Sequence, residues 1–226
     1  MAHPARYVVE RSHCPPGCVK CAEACSYGAI DLAMAAREIE VNPASIVLAM
    51  GWKPYDARKL PLLKFAVDPD VITNVMMERL AAADGPTSGE IKRPSDGRKV
   101  ESVAFVQCAG SRDQEHLPYC SSICCLASLK HANYVRATNP TSKVHVFYID
   151  IRTPGKYEGF YSRTRADPNI EFVKGKVAKV ERGRDGRMIV EAEDILRGGK
   201  IRVEVDLVVL ATGMEPNLKL EGLAGE

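Results

Sequence analysis

The chain has 226 residues, 46% hydrophobic and 27% charged, and its 31 basic residues nearly balance 29 acidic ones for a net charge of +2. Such a composition builds a soluble globular core and argues against nucleic acid or an anionic membrane surface as a partner. No stretch approaches the roughly 20 apolar residues of a membrane span, and the N-terminus, MAHPARYVVERSHC, has no apolar signal core. A cytoplasmic protein is therefore expected, in which thiols stay reduced and clustered cysteines point to metal or redox chemistry. The cysteines number eight, in two groups of four. The chain meets its first cysteine motif almost at once and stops at LEGLAGE, soon after a loop motif, which suggests a piece of a longer protein.

The first group, SHCPPGCVKCAEACSYGAID, sets Cys14, Cys18, Cys21 and Cys25 in a C-x3-C-x2-C-x3-C run. A four-iron cluster needs four thiolates wrapped closely round it, and ferredoxin runs of C-x2-C-x2-C-x3-C supply three or four of them. Here Pro15-Pro16-Gly17 lengthens the first spacing, and Ser26 stands where a proline usually follows the last cysteine. A zinc knuckle and an unfilled motif are the other readings of this run.

Glu38 to Val41 reads as a hairpin-like lead-in, and Ser45 to Trp52 as a buried strand closed by a glycine turn and Pro54. Val205 to Asn217 has the same shape: an apolar run ending in A-x-G-x-x-P. This internal echo matches the paired crossings of flavoproteins built from two dinucleotide-binding domains. There glycine lets the backbone approach the flavin, which makes Ala49, Met50, Gly51, Ala211, Thr212 and Gly213 candidate FAD contacts. Between the echoes, residues 68–83 carry apolar positions at helical spacing and predict an amphipathic helix with Met76 and Met77 in its packing. Residues 84–99 predict a turn-rich loop, with Ser95-Asp96-Gly97 as a turn.

The central stretch, Val100 to Arg136, predicts strand, loop and helix: a strand over Val103 to Val106, a turn Gln107-Cys108-Ala109-Gly110, and a helix opening at Tyr119-Cys120. That layout usually grips a dinucleotide phosphate, but the glycines it needs are missing. Cys108, Cys120, Cys124 and Cys125 stand there instead. A helix from Tyr119 would place Cys120 and Cys124 on one face, with Cys125 about 100° round. One ligand from a strand end and three from a helix start can surround a [4Fe-4S] cluster, whose negative charge the helix dipole would favour. Adjacent cysteines fit one zinc poorly, and buried structural cysteines are the plain alternative. Arg112 and Asp113 are either a salt-bridged turn or partners of the cluster sulfurs. Lys143 to Ile151 predicts a second strand, with Asp150 as a strand-end turn residue, since NAD(P) binding lacks its phosphate loop. Pro154 to Tyr157 leads into a short helix through Arg165. Ile170 to Val180, Met188 to Ala192 and Lys200 to Val205 predict a β-meander linked by glycine turns.

The runs FVQCAGSRD, HLPYCSSICCLASLKHANYV, FYIDIRTPGKYEGFY and DLVVLATGMEPN, with CAEACSYGAIDL, ASIVLAMGWKPYD and VITNVMMERLAA upstream, resemble the A subunits of heterodisulfide reductases. Within that family the resemblance is strongest to the A-type polypeptides of the quinone-interacting membrane-bound oxidoreductase (Qmo) complexes of sulfate-reducing prokaryotes. It implies an α/β, thioredoxin-reductase-like fold with a Rossmann-like central unit and a ferredoxin-like cysteine motif at the N-terminus. The implied organisation is a cluster segment (1–30), part of an FAD domain with the first crossover (31–60), a Rossmann-like unit carrying the cysteines (61–204) and a return strand (205–226). It further implies FAD in the intact protein, one or two [4Fe-4S] clusters, and electron traffic between menaquinol-linked partner subunits and adenylylsulfate reductase. Membrane association would come through partners only. The family's G-x-G-x-x-G for FAD lies upstream of this segment. A zinc-stabilised or cofactor-free scaffold for partner subunits is the competing reading. A thiol–disulfide exchanger is disfavoured, because no C-x-x-C opens the central helix.

Overall fold

The structure is a computed structural model that describes residues 9–35 and 38–217. The first eight residues, 36–37 and 218–226, which include the terminal LEGLAGE, lie outside the described residues. The chain forms two compact units, Met1–Leu48 and Ala49–Glu226. Described by itself, the first holds a short 3-10 turn at Arg11–His13 and one helical turn, α1 (Lys20–Glu23), with no buried residue in either.

The second unit is built on a five-stranded parallel sheet. Its strands are β2 (Val71–Thr73), β3 (Ser102–Ala109), β4 (Lys143–Tyr148), β5 (Ile170–Lys174) and β9 (Leu207–Thr212), in the order β2-β9-β3-β4-β5. β9 and the Val103–Val106 stretch of β3 are interior and read as apolar runs because both their faces are covered, as parallel sheets require. Ala104, Val106 and Ala109 face one core and Val103 and Phe105 the other. On the second face lie α2 (Asn74–Ala81) and α3 (Cys124–Thr138), contributing Met77, Ala132 and Val135. α4 (Glu158–Arg165) packs against α3 and β5. On the first face sits an antiparallel meander, β6 (Val177–Arg182), β7 (Met188–Glu193) and β8 (Lys200–Val205), contributing Val180, Met188, Val190 and Val205. Each fully buried aliphatic side chain there contributes about 1.5–3 kcal/mol.

The internal echo pairs with itself. β1 (Trp52–Pro54) and β10 (Met214–Pro216) form an antiparallel ribbon, with Lys53 opposite Glu215. Asn217 secures the join, donating from its backbone N–H to Gly51 O (3.2 Å) and from its side chain to Met50 O (3.0 Å).

Several expectations are corrected. No buried strand runs from Ser45 to Trp52: among the described residues of 38–51 there is no regular structure, and Ile46, Val47, Leu48 and Met50 are exposed. An apolar run becomes a strand only where a neighbouring edge takes its hydrogen bonds, and only residues 52–54 find one. Residues 68–83 are not one helix: Val71-Ile72-Thr73 are fully buried in β2, and Thr73 then caps α2 by accepting from the Met76 N–H at 3.3 Å. Met77 is buried, but Met76 is largely exposed. Ile170 to Val180 is two strands. The first completes the parallel sheet and the second opens the meander, with a break at Gly175, where a side chain would collide with the Glu193 carbonyl.

Candidate metal and redox site

α3 opens at Cys124, so the expected start at Tyr119-Cys120 is corrected. Cys120 lies in the preceding loop, and Ser122 at φ 59° bars the helix from reaching back to it. Three of the chain's positive-φ non-glycine residues, Cys108, Arg112 and Ser122, fall in this one stretch, a concentration of backbone strain that marks functional loops. The loop is stapled on both sides. Leu117 N donates to Gly110 O (3.0 Å), Tyr119 Oη to Met214 O (2.9 Å), and Met214 N to Ser121 Oγ (2.8 Å). Tyr55 Oη and His116 Nδ1 are 2.7 Å apart.

Two glycines permit this packing. Gly110 (φ 74°) has Tyr55 where a Cβ would stand, 2.5 Å from Cδ1. At Gly213 the space is taken by Ser111 and Leu117, so its missing side chain is accounted for by the loop itself. Gly51, at φ 72°, would bring a Cβ only into ordinary contact with Asn217 Nδ2, at 3.6 Å. Of the six candidate flavin contacts, Ala211, Thr212 and Gly213 are buried, whereas Ala49, Met50 and Gly51 are exposed.

Four cysteines lie where β3 ends and α3 begins. Cys124 and Cys125 are buried; Cys108 and Cys120 are half-buried. Cys124 Sγ donates to Thr212 O (3.4 Å) and Cys125 Sγ to Asp150 O (3.8 Å), while Cys120 Sγ accepts from Ser122 N (3.3 Å). Burial pushes the Cys124 thiol up to about 12, and the thiolates of Cys125, Cys108 and Cys120 add to that push. Burial also raises Cys108, with Cys125 next in weight, and raises Cys125, partly offset by the backbone N–H of Arg152. These mutual effects place the four sulfurs within electrostatic reach of one another. Among the described residues no three His, Cys, Asp or Glu side chains close on a point as a single ion needs. A four-iron cluster asks for a wider set, each thiolate holding a different iron. An all-sulfur donor set, in which burial keeps Cys108, Cys124 and Cys125 from ionising without a metal, at the start of a helix with no side-chain cap, fits such a cluster.

Asp150, the strand-end acid, accepts from Arg112 Nη1 at 2.8 Å and Arg152 Nε at 3.3 Å. It is engaged by arginines rather than free for a ribose. Asp113 pairs with Lys176 (2.7 Å). A cavity of about 370 Å³, lined by Leu60, Leu63, Val106, Cys108, His116 and Lys176 among others, opens beside Cys108. Among the described residues, both amide atoms of buried Gln107 lack a partner, as do Ser128 Oγ and His131 Nδ1 on α3. Sequence reading also missed a buried ionic knot. Asp70 accepts from Arg93 (3.0 Å), Arg182 (2.8 Å) and the N–H and hydroxyl of Ser95 (3.0 and 2.7 Å).

In the first unit, Cys14, Cys18, Cys21 and Cys25 are all half-buried. The added residue of the first spacing is absorbed by a turn, with Cys18 N donating to Pro15 O (3.1 Å) and Gly17 at φ 74°. The Ala29 N–H (3.4 Å), then that of Tyr27, hold the Cys25 thiol below its ordinary value. No helix of the described residues is long and apolar enough to cross a membrane.

No protein-family model matches the chain. Curated relatives do. It is 40% identical over 225 residues to the A chain of the ferredoxin:CoB-CoM heterodisulfide reductase of Methanosarcina mazei, covering 97% of this chain and 28% of that protein. It is 37% identical over 230 residues to the iron-sulfur A chain of the CoB--CoM heterodisulfide reductase of Methanocaldococcus jannaschii, covering 99% and 35%. The chain thus spans about a third or less of the length of these relatives, and over that span it is homologous to heterodisulfide reductase A subunits. Among solved structures it overlaps thioredoxin reductase from T. acidophilum (12% identity, TM-score 0.41, 74% of this chain and 43% of that one). It also overlaps L-lysine 6-monooxygenase from Pseudomonas syringae (15%, TM-score 0.45, 76% and 47%).

Proposed function

We propose that this chain is the electron-transfer segment of an iron–sulfur flavoprotein oxidoreductase of the heterodisulfide reductase A type. Cys108, Cys120, Cys124 and Cys125 would be the thiolate ligands of a [4Fe-4S] cluster. The observation that carries the reading is the placing of four cysteines at a strand end, in a strained loop and at a helix start, in a chain homologous to a subunit named for its iron and sulfur. Such a cluster supplies one-electron storage and release.

The chain's own groups do the rest. β3 and α3 fix three of the ligands on rigid elements, the staples to Tyr55 and β10 hold the loop that brings Cys120, and burial keeps water from the inner sulfurs. No proton-transfer triad is required. Ala49 to Gly51 and Ala211 to Gly213, at the two ends of the β1–β10 ribbon, would border FAD in the intact protein. Cys14, Cys18, Cys21 and Cys25 would hold a second cluster. Partner subunits of a heterodisulfide reductase-like complex would receive and deliver the electrons. In the Qmo-like form of the proposal these connect menaquinol with adenylylsulfate reductase, at a membrane reached only through partners and from the cytoplasmic side.

The test is iron and acid-labile sulfide per chain after anaerobic purification, with an EPR spectrum of the reduced protein. About eight irons support two clusters and about four support one. Cys120→Ser is expected to abolish the central signal. Zinc without labile sulfide would sink the electron-transfer reading in favour of a scaffold, and a central signal that survives Cys120→Ser would refute the ligand set.

A further inference from the structure

Asp150 stands at the foot of the cysteine site with a guanidinium on either hand. Arg112 comes from the strained loop after β3, and Arg152 follows β4; both bond the same carboxylate oxygen, Oδ1. The backbone carbonyl of Asp150 accepts from Cys125 Sγ. Arg112 also lies in the strained loop between Cys108 and Cys120, at φ 57°. Asp150, just beyond β4, is therefore bonded at once to Cys125 and to both arginines. Two cations serve one carboxylate, so the group keeps a net positive charge beside the cysteine site.

We infer that the Arg112–Asp150–Arg152 clamp is a positioning device that sets the reduction potential of the central site by holding two guanidiniums beside it. The inference rests on the cluster reading above. Reduction adds one negative charge to the site, and a fixed positive charge beside it favours the reduced state. An arginine cannot lose its charge at any working pH, and its planar fork bonds a carboxylate with less freedom than lysine would have. Asp150 thereby prevents both side chains from swinging out to water, where their charge would be screened. The electron comes from, and returns to, a one-electron protein or flavin donor; the clamp changes the poise and forms no bond.

The experiment is an EPR-monitored redox titration of protein purified anaerobically with its native partner subunits, in wild type, Arg112→Gln, Arg152→Gln and Arg112→Lys. Iron and labile sulfide are measured first. If the wild type assembles no cluster, the functional reading fails and takes the clamp with it. With the cluster present, each glutamine variant is expected to retain its iron and to titrate at lower potential. The expected change in the reduced-to-oxidised ratio at fixed poise is about tenfold, which for a one-electron couple is ~59 mV. Arg112→Lys, which keeps the charge, is expected to recover most of that shift. Unchanged potentials in both glutamine variants, with iron intact, would overturn the inference. So would an Arg112→Lys potential as low as that of Arg112→Gln, because a merely structural role would not distinguish charge from shape.

Discussion

Cys124 and Cys25 are both candidate cluster ligands, yet they sit in opposite surroundings. Burial pushes Cys124 up to about 12, among three other sulfurs, between a sheet and a helix. Backbone N–H groups from the turn after it draw Cys25 down, in a segment whose short helices bury nothing. The two groups teach two ways of preparing for a negatively charged cofactor. In the second unit the thiols are gathered first and the charge is left for metal and arginines to balance. In the first unit a turn of amides is already arranged to receive a thiolate, and little else holds the segment together.

That contrast can be broken by alkylation of the metal-free protein. At pH 8, Cys25 is expected to react faster than Cys124 by on the order of 10²–10³-fold, because so little of Cys124 is thiolate there. The Cys124 rate should climb until the pH approaches 12. Equal rates, read by mass spectrometry of the labelled peptides, would erase the distinction.

The rigidity claimed for the second unit can be tested at Asp70, buried and bonded by Arg93, Arg182 and Ser95. Asp70→Ala leaves the buried Arg93 guanidinium without its nearest carboxylate, while Arg182 keeps its pair with Asp68, and is expected to cost about 3 kcal/mol in chemical denaturation. Burial works to raise the Asp70 carboxyl, but its hydrogen bonds, led by Ser95, hold it below the usual range. A folded value below the unfolded one gives stability that is present above about pH 4 and lost as the pH falls through the folded value. Asp70→Asn should flatten that acid limb, and an unchanged limb would show that the knot is not what acid releases.

Smaller effects sharpen the picture of the central site. Gly110→Ala forces a methyl into Tyr55 at a left-handed φ, and about 1–3 kcal/mol of stability should be lost, together with iron retention. Gln107→Leu removes two buried amide atoms that have no partner, so its stability should move by less than about 1 kcal/mol. A large loss would mean that those atoms are bonded in solution, to water or to a cofactor.

The strands at the heart of the sheet were legible because β3, β4 and β9 are apolar runs bounded by turns, and the meander was legible from its glycine links. β2 was not, since three β-branched residues, the last of them the helix cap itself, look like that helix's first turn. Ser45 to Leu48 misled for the opposite reason: composition alone cannot say whether a strand finds an edge. The grouping of Cys108 with Cys120, Cys124 and Cys125 was visible as spacing, but the helix start was placed too early because nothing in Tyr119-Cys120-Ser121-Ser122 announces a left-handed residue. The bond between Arg112 and Asp150 could not be read at all. The two are far apart in the chain, and only the parallel alignment of β3 with β4 brings their ends together.

The β1–β10 ribbon has one more consequence. The backbone arrives at Trp52 and departs at Pro216 as adjacent, oppositely directed threads. Everything folded between them, residues 55–213, is thus closed at its base by a double stem. Two cuts made side by side at that stem would free the segment, and its ends lie close enough for a short linker to rejoin them.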